Sequence, residues 1–116
     1  MLFQHGYYTG SGYTYGVYPE YFPLRLVLIA LLRSHRPPRL EQPFQLVEFG
    51  CGQGMGLCLQ AALHPHAQFT GIDLLPSHIS HAQALASSAG LRNISFREAD
   101  LLTLAEAEPD HCGLCD

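Results

Sequence analysis

The segment Phe44-Gln45-Leu46-Val47-Glu48-Phe49-Gly50-Cys51-Gly52-Gln53-Gly54-Met55-Gly56 constrains the fold most, because a nearly continuous apolar run passes directly into four glycines at alternate positions. A run broken only by Gln45 and Glu48 reads as a strand, residues 44–49, covered on both faces by helices. Glycines at its end let the chain turn sharply and let a ligand approach the backbone with no Cβ in the way. The pattern asks for an open α/β sheet whose binding site lies at the carboxyl edge of its strands.

The residues that follow extend this pattern. Met55 to Leu63 is apolar enough for a buried helix, which His64-Pro65-His66 ends, and Gln68 to Asp73 reads as a second strand. Pro76 suits the first turn of a second helix with Ile79, Ala82, Leu85, Ala86 and Ala89 on one face, and Gly90 supplies a left-handed stop. Ile94 to Ala99 reads as a third strand. The order is that of a βαβαβ unit, an α/β fold with a parallel sheet in the order 3-2-1 and flanking helices.

Residues 1–43 differ in character from residues 44–116. Residues 6–22 are rich in glycine, hold all six tyrosines and show no steady period, so an irregular lead-in is expected. Its rings suit a strap over an apolar face better than a flap over a ligand. From Pro23 the spacing predicts a helix with Leu26, Ile29, Ala30 and Leu32 on one face, and Pro37-Pro38 stops it.

Composition narrows the partners. With 116 residues, 47% of them hydrophobic, the chain suits one compact domain, and its net charge of −4 with only six basic residues argues against nucleic acid. The apolar run Leu26 to Leu32 is far short of the ~20 residues a spanning helix needs, so no membrane segment is expected. Met1 to Gly6 lacks the basic start of a secretory signal, which points to the cytoplasm, where structural disulfides are rare. Cys112-Gly113-Leu114-Cys115 is a lone CxxC with no second pair, and no metal site is expected. His78 and His81 read as surface residues, because the apolar face of their helix runs through Ile79 and Ala82. Cys51 reads as a small residue of the turn, with no base at a spacing that would make it a nucleophile.

The register of the glycines restricts the ligand. A dinucleotide fingerprint needs a third glycine where this chain has Met55 or Leu57, and no Gly-Lys-Ser/Thr follows to make a P-loop. The Glu48 carboxylate suits a cationic group beside the turn better than a pyrophosphate. Asp73, 21 residues beyond Gly52 at the end of the second strand, stands where a carboxylate takes both hydroxyls of a ribose, a reading that outweighs the alternative of a mere cap on the next helix. A nucleoside carrying positive charge satisfies both acids.

These motifs resemble those of the class I, Rossmann-like S-adenosylmethionine-dependent methyltransferases: Leu46 to Gly54 is similar to their first motif, Gly71-Ile72-Asp73-Leu74 to their second, and Glu98-Ala99-Asp100-Leu101 to the motif of their third strand. The resemblance implies S-adenosyl-L-methionine as cofactor. It places Glu48, Gly50, Cys51, Gly52 and Gly54 near the methionine portion, Asp73 on the ribose hydroxyls, Leu74 against the adenine, and Asp100, with Leu101 beside it, at the adenine amino group. Tyr13 to Arg25 resembles the preface of a bacterial subgroup whose methyltransferase domain precedes a methyltransferase regulatory domain.

In that family the sheet has seven strands, and the fourth carries acceptor-binding and often catalytic residues. Residues 44–116 hold three, so an incomplete cofactor-binding domain, truncated after the third strand, is expected, with the methyl acceptor and the catalytic residues unassigned. Its first strand would form an unpaired edge prone to self-association. A noncatalytic nucleotide-binding or interaction module built on the same unit is the alternative.

Overall fold

The computed structural model describes residues 16–107 and, upstream, the two short strands β1 (Phe3–Gln4) and β2 (Tyr7–Tyr8), which pair antiparallel. A 3-10 turn at Pro19–Tyr21 leads into α1 (Pro23–Leu32). There follow β3 (Gln45–Phe49), α2 (Met55–Leu63), β4 (Gln68–Asp73), α3 (Pro76–Ser88), β5 (Ile94–Glu98) and α4 (Leu101–Ala107). The strands β3, β4 and β5 form one parallel sheet in that order, with Val47 opposite Thr70 and Gly71 opposite Phe96. This is the 3-2-1 order expected from the alternation, in a partial Rossmann-like fold.

Two right-handed crossovers running the same way across a sheet put both connecting helices on one face. Accordingly α2 packs on α3 as well as on β4, and α3 covers β5. The core beneath α2 is Phe44, Leu57, Ala61, Ala67 and Phe69, with Leu46, Ile94 and Phe96 packed against it. Gly71 in the middle strand is required by this packing: a Cβ there would lie 2.7 Å from the Phe96 ring and 2.9 Å from the Cys51 sulfur. α3 closes as its sequence predicts, with Gly90 at φ 68° and the N–H of Leu91 donating to the carbonyl of Ala86 at 3.0 Å.

Several expectations need correction. Among the described residues the first strand is not covered on both faces; it is an edge strand whose two ends are exposed, Phe49 by 50%, because α2 and α3 share a single face. Phe44 and Ala99 lie just outside their strands, and Ala89, the C-cap of α3, is exposed and not part of its buried face. α1 forms where predicted, but its apolar side chains are not buried: Leu24 is 72% and Leu32 76% exposed, with Leu26 and Ile29 also open. It ends before the prolines, where Ser34 adopts the left-handed φ of 59° and the N–H of His35 reaches the carbonyl of Ala30 at 2.8 Å. The lead-in is not wholly irregular, since two-residue strands and a single 3-10 turn are too short to show a period. α4 went unanticipated, although Asp100 caps it by accepting the N–H of Leu102 at 3.0 Å. Among the described residues no helix is long and apolar enough to cross a membrane.

A buried amide clasps the edge of the unit opposite the glycine turn. Asn93 Nδ2 lies 2.9 Å from the carbonyl of Ala61, 3.0 Å from that of His64 and 3.0 Å from that of Ala67, joining the end of α2 and the loop into β4 to the start of β5. Replacing it by leucine strands buried carbonyls without a donor. Asn93→Leu is expected to lower the unfolding free energy by roughly 1–3 kcal/mol, read from the urea midpoint. An unchanged midpoint would show that water replaces the clasp without cost.

Candidate functional site

The alternation of glycines at the end of β3 follows from the backbone path. Gly50, Gly52 and Gly54 have φ of 76°, 57° and 78°, the left-handed region that other residues enter only with strain. Gly54 is required twice, because a Cβ there would also lie 2.7 Å from Ala82 and 2.9 Å from Phe96. The N–H groups of Gly50 and Cys51 both donate to the carbonyl of Ile72, at 2.7 and 3.0 Å, which seats the turn on the end of β4. The N–H of Gly52 donates to Asp73 Oδ2 at 2.9 Å.

Asp73 joins three pieces of chain. Besides Gly52 it accepts, on Oδ1, the N–H of Leu75 at 2.9 Å and the Nδ1 of His78 at 3.3 Å, tying the glycine turn to the start of α3. Capping and ligand binding, posed from sequence as alternatives, are thus not exclusive here: three of a carboxylate's roughly four acceptor directions are engaged and about one is left.

Around this knot lies a cavity of about 870 Å³. Its wall includes the turn residues Gly50, Cys51, Gly52 and Gly54, and Glu48 from β3. Asp73 and Leu74 line it after β4, and Asp100 and Leu101 after β5. Every candidate site residue named from the sequence therefore borders one space at the carboxyl edge of the sheet. The first turn of α2, whose N–H groups have no carbonyl within the helix to bond, borders the same cavity at Met55, Gly56 and Leu57.

Glu48 and Cys51 differ in what they can do. Among the described residues Glu48 has no bonded partner, and burial alone raises its carboxyl from the ordinary 4.5 to about 6. The Cys51 thiol is pushed up to about 12, first by burial and then by the negative charges of Asp73 and Glu48, which removes it as a nucleophile near neutral pH.

The structure also brings in residues that sequence reasoning missed. His78 was expected at the surface; it is buried, at 5% exposure, and borders the cavity, because the first turn of α3 is rotated so that its ring meets Asp73. His81, one turn on, is exposed. Gln60 borders the cavity from α2, and the Nε2 atoms of Gln60 and His78 are buried with no hydrogen-bond partner among the described residues. A histidine five residues after a strand-ending acid was the only available signal. Tyr18 and Tyr21 also line the cavity, 45% and 59% exposed, with rings edge to face 6.4 Å apart. For these two the structure favours the flap over the strap; Tyr13 and Tyr15, like Cys112 and Cys115, lie outside the described residues.

Comparison with known proteins agrees with this geometry. A sequence-family profile for a methyltransferase domain matches residues 41–112. An uncharacterized protein of Synechocystis sp. is 43% identical over 96 residues, which is 83% of this chain and 19% of that protein. The tRNA (guanine-N(7)-)-methyltransferase of Chloroflexus aggregans is 33% identical over 93 residues, 80% of this chain and 38% of that enzyme. The solved structure of PKMT2 from Rickettsia typhi in complex with AdoHcy superposes with a TM-score of 0.70 at 28% identity, over 79% of this chain and 18% of that one. The chain thus spans about a fifth of the Synechocystis protein and of PKMT2.

The Glu48 carboxyl yields a signed pH prediction. Because its folded value of about 6 exceeds the ordinary 4.5, burial favours the neutral acid: its contribution to stability is fully present below about 4.5 and is lost as pH rises through about 6. Thermal unfolding between pH 4 and 7.5 is expected to show that slope in the wild type and a reduced one in Glu48→Gln. Equal slopes would place the titration elsewhere.

Proposed function

The chain belongs to the methyltransferase-domain family, and from that membership we propose that residues 44–116 are the cofactor-binding part of an S-adenosylmethionine-dependent methyltransferase. The observation that carries this reading is the pairing, in one cavity, of a glycine turn pinned to Asp73 with a half-buried carboxylate at Glu48 that has no bonded partner among the described residues. A buried carboxylate without a cation is costly, and a cationic ligand group removes that cost. Glu48 then faces the positively charged methionine end, and the free N–H groups at the start of α2 suit that end's carboxylate. Asp73 takes a ribose hydroxyl with its remaining lone pair, Leu74 flanks the adenine, and Asp100 accepts from the adenine amino group. When bound, the cofactor supplies an electrophilic methyl group to an acceptor whose class is left open. Residues 1–43 form the lead-in, which contributes Tyr18 and Tyr21 to the rim.

Calorimetry on the 116-residue chain tests this reading. S-adenosylhomocysteine is expected to bind and NAD to fail to displace it at comparable concentration, since Met55 and Leu57 stand where a dinucleotide fingerprint needs glycine. Glu48→Gln, which breaks no hydrogen bond among the described residues, is expected to weaken S-adenosylmethionine by about tenfold or more through loss of a charge-assisted contact. Affinity in the wild type should rise with pH through about 6 as Glu48 ionises. Equal binding of NAD, or a Glu48→Gln variant with unchanged affinity, would refute the assignment.

We further propose a cytoplasmic protein, supported by the free thiols of Cys51 and Cys58, and self-association through β3. The outer edge of β3 has no hydrogen-bonded neighbour among the described residues, and unpaired backbone groups on an apolar strand seek pairing. Light scattering across a concentration series is expected to give the mass of a dimer or larger. A strictly monomeric chain throughout would count against this use of the edge.

A further inference from the structure

We propose that α1 is an interfacial helix that docks the protein on an anionic lipid surface; the inference stands independently of the cofactor reading. Two features of the described unit have no use in the cavity, and both fall on this helix and the loop after it. Leu24, Leu26, Leu28, Ile29, Leu31 and Leu32 are all exposed, by 42% to 76%. Charge is also segregated: residues 23–40 hold Arg25, Arg33, Arg36 and Arg39, four of the six basic residues of the chain, and none of its ten acids. Arg39 pairs with Glu41 at 2.8 Å, while the exposed Arg25, Arg33 and Arg36 have no ion pair among the described residues.

The arrangement selects the occupant. At roughly 100° per residue the six apolar side chains spread over roughly 220° of the circumference of α1, and the gap holds Val27 and Ala30, which are half-buried. A protein groove or a partner helix covers a narrower stripe, on the order of 100°. A second copy is disfavoured, because apposing two such faces sets arginines against arginines with no acid between them. Acyl chains close round the whole arc, while Arg25 and Arg33, both within it, reach lipid phosphates on their long stems. With ten residues α1 cannot span a bilayer, so it lies in the plane of the interface. The chain as a whole carries a net charge of −4, so attraction to an anionic surface comes from this face and fixes the orientation of the protein on it.

The test is flotation of the 116-residue chain with vesicles of phosphatidylcholine alone and of phosphatidylcholine mixed equally with phosphatidylglycerol. The mixed vesicles are expected to bind about tenfold more tightly or better, with the difference shrinking as salt rises. Leu28→Gln with Leu32→Gln, and separately Arg33→Gln with Arg36→Gln, should each weaken that binding by about tenfold or more. Thermal midpoints should stay near wild type, because all four side chains are exposed. Arg92→Gln with Arg97→Gln removes the same charge from exposed positions elsewhere and is expected to bind as the wild type does. Equal affinity for both vesicle types, no binding to either, or equal losses from the Arg33 and Arg36 pair and the Arg92 and Arg97 pair overturns the proposal. So does a leucine-pair variant that lowers the mass of the chain in solution while the wild type ignores vesicles, which makes α1 an interface between copies.

Discussion

The carboxylate of Asp73 is the interaction on which the site depends. It stands at the end of the middle strand and holds the N–H of Gly52 from the turn after β3 and the N–H of Leu75 at the entry to α3. Without it, two backbone donors at the carboxyl edge of the sheet would lose their acceptor, and the paths of the two connections would no longer be locked to each other. A charged acceptor makes stronger bonds than a neutral one, which suits a single side chain that must fix two loops.

The sheet beneath makes this convergence possible. Parallel strands deliver all their carboxyl ends to the same edge, so residues far apart in the chain, Glu48, Asp73 and Asp100, border one cavity without any long loop. Close packing at that edge is bounded by glycine: Gly54 meets Ala82 and Phe96, and Gly71 meets Phe96 and Cys51, at distances that admit no methyl group. At the far side Asn93 performs the complementary task, joining the end of α2 to the start of β5.

The described unit leaves much apolar surface open. α1 exposes all five of its leucines, and among the described residues β3 is an edge although its composition is that of a buried strand. Relatives that match this chain are several times longer, and its apolar composition at these two places exceeds what the described neighbours bury. The nine residues proposed to hold the cofactor, by contrast, all border one cavity within the βαβαβ unit, because each lies at or just beyond the end of one of its three strands.

The alternation of apolar runs, helical spacing and glycines determined the parallel sheet and its order, and with the motif resemblance it picked out nine of the residues that border the cavity, because those features are local and strand ends point one way. Local pattern also located α2 and β4 to the residue. It could not determine burial. The same apolar spelling serves a central and an edge strand, so β3 read as covered on both faces, and α1 read as a packed helix though its side chains are open. It could not separate capping from binding at Asp73, since both use the same carboxylate at the same position. Nor could it find His78: only the rotation of α3 against β4 and β5 decides that this ring, and not His81, turns inward to meet Asp73. Burial and rotation depend on which surfaces meet, and tertiary packing alone decides that.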